Sequence, residues 1–397
     1  MKLFTAFLLS LFSIFYIPLV FSQEVEWDIS VGVDDTIYPS FIMATSTLKT
    51  EDTDNDKTQL GDPMGFIGVN IKSPKDQTKV VVELSSNKLI KKSSFDGTLE
   101  KAGETYYVCP ILQYDYDTLL GIRQPFPEIV TAKVFLDGKL LGEKSKRVPV
   151  RSINDCVIAF EEDGKAVNSA WLMSAYVNEN HPFIDTILKE TLDEGAINSF
   201  AGYQKSQDEV LEEMKAIWNN IQNRGFRYSN ITRSSGESKT VACQHVRLIG
   251  DAIKTAQANC VEGSVLFASI FRKLEMDPFL VLIPGHMFVG VYLDAKHENY
   301  ICIETTMVGT STFEDAVEQG RKTFEENLDK FPAGEEAEEA GAGKKETSKP
   351  NEEAKEKPAE EAASGEYQII DIAASREMGV MPIREAGADD KANEAAE

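Results

Sequence analysis

The hydrophobic period of the chain changes once, near Ser169, and that change constrains the fold more than any other feature. Before it, from Trp27 to about Ile158, apolar residues come in short β-rich runs: Phe66 to Ile71, Lys79 to Leu84, Thr105 to Leu112, Val130 to Leu136 and Lys139 to Gly142. The Asp137-Gly138 dipeptide between the last two is a hairpin signal, since both residues tolerate the positive φ of a tight turn. No long helical period separates these runs, so residues 23–160 are expected to form an antiparallel, immunoglobulin-like β-sandwich. No residues in it group for chemistry, and it reads as a spacer or binding module.

Beyond Ser169 the period becomes helical. A helix is predicted from Trp171 to about Leu192, and a clearer amphipathic one from Asp208 to about Gln222. Leu211, Met214, Trp218 and Ile221 share one face of the second, Asp208 can cap its start, and Gly225 follows its end. A third helix is predicted from Val261 to Leu274, with Pro278 barring continuation. Strands follow: Phe279 to Ile283, a Pro284-Gly285 turn, His286 to Leu293, a polar turn, then Tyr300 to Glu304 as the second arm of a hairpin. The expected class is therefore α+β, with this second domain spanning 168–332 and resuming over 366–383, where Tyr367 to Ile372 reads as one more strand. Between them, residues 333–365 hold Ala, Glu, Lys, Gly and Pro without period, a composition that cannot repay the entropy of ordering. This acidic insertion and the acidic tail 384–397 are expected to be disordered, and Glu335, Glu336, Glu338 and Glu339 read as solvated filler.

Of the 397 residues 42% are hydrophobic and 27% charged, which excludes fibrous and multi-span membrane classes. The 65 acidic against 41 Lys and Arg residues leave a formal charge of −24, which repels a phosphate backbone, so nucleic acid is excluded as a partner. Lys2, the apolar run Leu3 to Phe21 and small Ser22 make residues 1–22 a signal peptide, implying a secreted or periplasmic protein. Membrane contact is expected only if that segment stays uncleaved. Five cysteines, Cys109, Cys156, Cys243, Cys260 and Cys302, are too few for a disulfide scaffold and odd in number. Cys243 or Cys302 could bond Cys260, and Cys109 could bond Cys156; spacing alone leaves the connectivity open.

One cysteine sits where a nucleophile belongs. Cys260 falls at the start of the third helix, whose N-terminal partial charge favours a thiolate. His286 opens one arm of the hairpin and Glu304 closes the other, so antiparallel pairing brings both to the same open end. A thiol needs a base, and the base a group that holds its tautomer. Cys260, His286 and Glu304 supply these three types, and the chemistry they imply is attack on an amide carbonyl of a peptide or protein substrate to give a thioester. Oxyanion donors are sought in the Cys260 backbone N–H and the Gln204 and Gln244 side chains. His181, His245 and His297 read as structural; no paired Cys or His spacing suggests zinc, and no metal or cofactor is required.

At these residues the sequence resembles the transglutaminase-like superfamily, the papain-like group with a Cys-His-Asp triad. Asn259-Cys260-Val261-Glu262-Gly263-Ser264 stands at the helix start, Pro284-Gly285-His286-Met287-Phe288-Val289-Gly290 on the strand, and Ile303-Glu304-Thr305-Thr306 after it. The resemblance runs from about Ala170 to Val317 and takes in Gly202-Tyr203-Gln204, Arg227-Tyr228-Ser229 and Tyr367 to Pro382, which look like elements of bacterial secreted members carrying this domain behind a β-rich one. Glu304 stands where the family usually has Asp. The resemblance implies a papain-like core and cysteine peptidase, amidase or transamidase activity. The competing expectation is a catalytically silent binding or scaffold protein on the same fold.

Overall fold

A computed structural model describes residues 25–48, 57–62, 64–162, 164–230, 238–332 and 367–385. Residues 1–22, expected to be a signal peptide, the segment 333–365 and all but the first two residues of 384–397 lie outside them.

The N-terminal unit packs two four-stranded sheets face to face. One runs in the order Trp27–Val31, Ile67–Lys72, Thr105–Cys109, Gln59–Gly61; the other Lys139–Val150, Phe126–Leu136, Thr78–Ser86, Ser93–Leu99. Each strand alternates inward and outward residues, so Val69, Ile71 and Val108 from the first meet Val80, Val82, Val130 and Val134 from the second in one core. The Asp137-Gly138 turn is as expected, with both residues at positive φ. The sandwich is not wholly antiparallel: Gln59–Gly61 joins Thr105–Cys109 in parallel. The chain between them passes through both sheets, and that long connection permits a parallel return.

The last strand of the β-rich run, Asp155–Glu162, pairs with Lys165–Asn168 on one side and with Val241–His245 on the other. It stitches the start of the second unit to a segment about eighty residues on, a register that hydrophobic period does not encode. The helix expected from Trp171 to Leu192 is two pieces, a 3₁₀ segment Ala170–Tyr176 and a helix Pro182–Asp193. Proline lacks the N–H an interior position needs and takes the first turn instead. The next helix, Gln207–Asn223, is capped by Ser206 rather than Asp208, because Ser206 and Glu209 close a reciprocal capping box. Its face carries Met214, Trp218 and Ile221 into the core, with Trp218 stacked on Phe267 at 5.4 Å.

The fourth sheet is antiparallel throughout, in the order Tyr300–Ile303, His286–Tyr292, Pro278–Ile283, Gln368–Asp371. Ile283 pairs with His286 across Pro284 and Gly285, whose φ of +70° suits the second corner of a type II turn. The Cys260–Lys273 helix lies on this sheet, and Phe313–Glu325 covers its Tyr300–Ile303 edge. The segment after the insertion is integral to this unit: Arg376 donates to the carbonyls of Ser174, Val177 and Val380 and pairs with Glu179. The chain stays packed past Ile383, where Glu385 accepts the Gly250 N–H at 2.5 Å and lies 3.3 Å from His181. The protein is thus a mixed α+β molecule built from a sandwich and a helix-on-sheet unit.

Candidate active site

The nucleophile helix starts at Cys260 because Asn259 and Glu262 close a capping box, each backbone N–H donating to the other's side chain at 2.9 Å. The Glu262 carboxylate is fully buried and held by Arg247, whose Nε, Nη2 and backbone N–H donate at 2.9, 2.6 and 3.1 Å. Cys260 therefore occupies a fixed first position, half-buried, among the unpaired N–H dipoles of the helix end. Ser264 donates to the Cys260 carbonyl at 2.7 Å and lies 3.2 Å from Thr305 Oγ1. Gly263 makes that approach possible, since a methyl there would meet Thr305 Oγ1 at 3.0 Å.

His286 and Glu304 reach each other from adjacent strands, with Nε2 and Oε2 2.7 Å apart. Glu304 also caps the 3₁₀ turn Thr305–Met307: its Oε1 accepts from the Thr306 N–H at 3.2 Å and the Thr306 hydroxyl at 2.6 Å. This bracing fits the longer glutamate where the resembled family has aspartate. Burial would push the Glu304 carboxyl up, yet the hydrogen bonds from His286 and Thr306 hold it below the usual carboxylate range. Hydrogen bonds to Cys260 and Glu304 push the His286 imidazole up to about 10 against the opposing effect of burial. With Nε2 committed to Glu304, Nδ1 is the ring nitrogen left to receive the thiol proton. The three residues singled out in the sequence are thus one contiguous group.

The other candidates are elsewhere. Gln204 is exposed on the turn Gly202–Gln204, and the Gln244 amide donates to the His245 carbonyl at 2.9 Å. Among the described residues neither bonds the Cys260, His286 and Glu304 group. His245 lies 3.4 Å from Asp155, His297 3.0 Å from Asp277 and His181 against Glu385, each a local pair. All five cysteines are thiols; four are buried, and Cys260 is the half-exposed one. Cys156 and Cys243 lie one register step apart on neighbouring strands, both buried in the same core as free thiols. Burial pushes the Cys109 thiol up to about 12 and Cys302 higher still, leaving both protonated and inert.

A scan against protein-family models found no match. A search of the curated proteins found no relative either. Function therefore rests on the geometry. Among the described residues no cluster of three or more His, Cys, Asp or Glu is placed to hold a metal, and no helix is long and apolar enough to cross a membrane. A cleft of about 740 Å³ lies away from these residues along the Asp155–Glu162 sheet, lined by Ala159, Gly164, Lys165, Thr240 and Ala242.

The residue that sequence reasoning left without a role is Tyr228. Its short strand Arg227–Tyr228 runs parallel to Gln257–Ala258, immediately before Cys260. A two-residue strand has no period to read, and only its place in the quoted Arg227-Tyr228-Ser229 element marked it.

Proposed function

We propose that the protein is an exported, transglutaminase-like protein of papain-like core, performing amide hydrolysis or transamidation on peptide or protein substrates through a Cys260 thioester. The observation that carries this reading is the 2.7 Å bond between His286 Nε2 and Glu304 Oε2, with Cys260 at the start of the adjoining helix. In the first step Sγ bonds to the carbonyl carbon while the carbon–nitrogen bond breaks, and the imidazolium gives its proton to the departing amine. Glu304 keeps Nε2–H in place throughout. Water or a second amine then attacks the thioester, losing its proton to Nδ1 and restoring the thiolate–imidazolium pair. These steps need no cofactor. The helix-on-antiparallel-sheet arrangement, with nucleophile, base and carboxylate in that chain order, supports the papain-like assignment, and the leader-like residues 1–22 support export.

The test is the rate of Cys260 alkylation by iodoacetamide against pH, with the site read by peptide mass. Because His286 keeps its proton up to about pH 10, Cys260 meets the reagent beside a cation, and a cation beside a cysteine favours its attack. Removing that cation in His286→Ala is expected to lower the alkylation rate at pH 6 by about a hundredfold. Superimposable profiles for the two proteins would refute the relay.

A further inference from the structure

Two buried hydroxyls meet where the three elements of the site converge. Ser264, fully buried one turn into the Cys260–Lys273 helix, has a single proton to give. It donates to the Cys260 carbonyl at 2.7 Å, and its Oγ also lies 3.4 Å from the carbonyl oxygen of Met287, the residue after His286. The ladder between the Tyr300–Ile303 and His286–Tyr292 strands stops at the Val289–Ile303 pair, so Met287 stands past its end, with the helix hydroxyl beside its carbonyl. With the Ser264 proton so committed, the 3.2 Å contact to Thr305 Oγ1 leaves Thr305 as the donor. Thr305 follows Glu304 and is itself buried. One hydroxyl pair thus touches the backbone of the nucleophile, the residue after the base and the residue after the carboxylate.

A serine that bonds back to the carbonyl four residues earlier is ordinary in a helix. Ser269, equally buried on the same helix, does so to Val265 at 2.7 Å and accepts the Asn178 N–H at 2.9 Å. Ser264 differs in what it joins. Around it Val261, Val265, Met287 and Val289 share one apolar core, and apolar contacts, being non-directional, let a helix turn or slide on a sheet. Hydrogen bonds of fixed length and angle do not.

We propose that Ser264 and Thr305 are positioning residues, whose paired hydroxyls set the nucleophile helix against the His286 strand and the Glu304 turn and so fix Cys260, His286 and Glu304 relative to one another. This deepens the acyl-transfer reading and rests on it. Both residues act through the backbone they hold.

The experiment follows acylation of the full-length protein by p-nitrophenyl acetate, in which Sγ bonds to the acetyl carbon, the thiol proton passes to His286 and p-nitrophenolate leaves with the electron pair of its bond. Rates are read as p-nitrophenolate release, with Cys260 confirmed as the site by peptide mass, at a temperature where circular dichroism shows every variant folded. Ser264→Ala and Thr305→Val, which each remove one hydroxyl, are expected to lose on the order of tenfold to a hundredfold, the cost of a misplacement of about 1 Å. Thr305→Ser, which restores the hydroxyl, is expected to recover most of that loss, and the double variant to fall no further than the slower single one. Ser269→Ala, which removes a buried hydroxyl from the same helix, is expected to keep the parent's rate. The proposal is overturned if Ser264→Ala is no slower than Ser269→Ala, if Thr305→Ser fails to recover the rate, or if the losses in the double variant simply multiply. His286→Ala, run alongside, tests the underlying reading: undiminished acylation there overturns acyl transfer itself, whereas a lost rate there with an undiminished Ser264→Ala overturns the hydroxyl pair alone.

Discussion

Replacing Arg247 with alanine will destabilise the protein by about 3–5 kcal/mol, the cost of leaving a buried charge without its partner. Glu262 is fully buried, and its carboxylate accepts from the Arg247 guanidinium through Nε and Nη2 while also accepting the Asn259 N–H that completes the cap. Without the guanidinium the carboxylate keeps only backbone donors, and the helix that places Cys260 loses the anchor of its first turn. A fall in melting temperature of roughly 10 °C is expected from that loss. Arg247→Lys retains the charge but not the planar fork, and should recover only part of the stability. The second readout is thiol chemistry: alkylation of Cys260 at pH 6 should drop in Arg247→Ala even under conditions where circular dichroism shows it folded. A loss below about 1 kcal/mol would mean that the pair behaves as a solvated surface bridge.

What was legible in the sequence is what local physics writes there. The Pro284-Gly285 turn and the short apolar runs of the hairpin arms are short-range signals, and the Cys260–Lys273 helix and His286–Tyr292 strand stand within a residue or so of expectation. Two misreadings also had their signal in plain view. Pro182 splits the apolar stretch after Trp171, and Ser206 with Glu209 outranks Asp208 as a cap. Other features depend on contacts across long separations. The pairing of Asp155–Glu162 with Val241–His245 and the parallel arrival of Gln59–Gly61 follow from how layers close around a core. The bracing of Glu304 by Thr306 and the seat of Tyr228 beside Ala258 exist only once turn and strand are docked. The order of chemistry-bearing residues could thus be read from the chain, while the groups that tune them could not.

Gly320→Ala tests the same interdependence from the outer layer. In an unconstrained helix interior, alanine in place of glycine is worth about 1 kcal/mol of added stability. At position 320, in the Phe313–Glu325 helix, the sign should reverse. A methyl there would clash with the Cys302 carbonyl oxygen, lying 2.5 Å from its carbon and 2.8 Å from the Ile303 nitrogen, all backbone of the strand that leads into Glu304. No side chain can rotate out of the way, so helix and strand must separate, and overpacking of this kind costs about 3 kcal/mol. Separation also strains the bond by which the Ala316 carbonyl accepts the Glu304 N–H at 3.0 Å, and with it the position of the carboxylate that holds His286. Gly320→Ala should therefore lower both the melting temperature and the alkylation rate of Cys260 at pH 6. The exposed neighbour Gln319→Ala should change stability by no more than about 0.5 kcal/mol and leave the thiol as reactive as before. If Gly320→Ala proved stabilising, the helix would not be seated on the Glu304 strand as described, and the carboxylate would be held by the Thr306 turn alone.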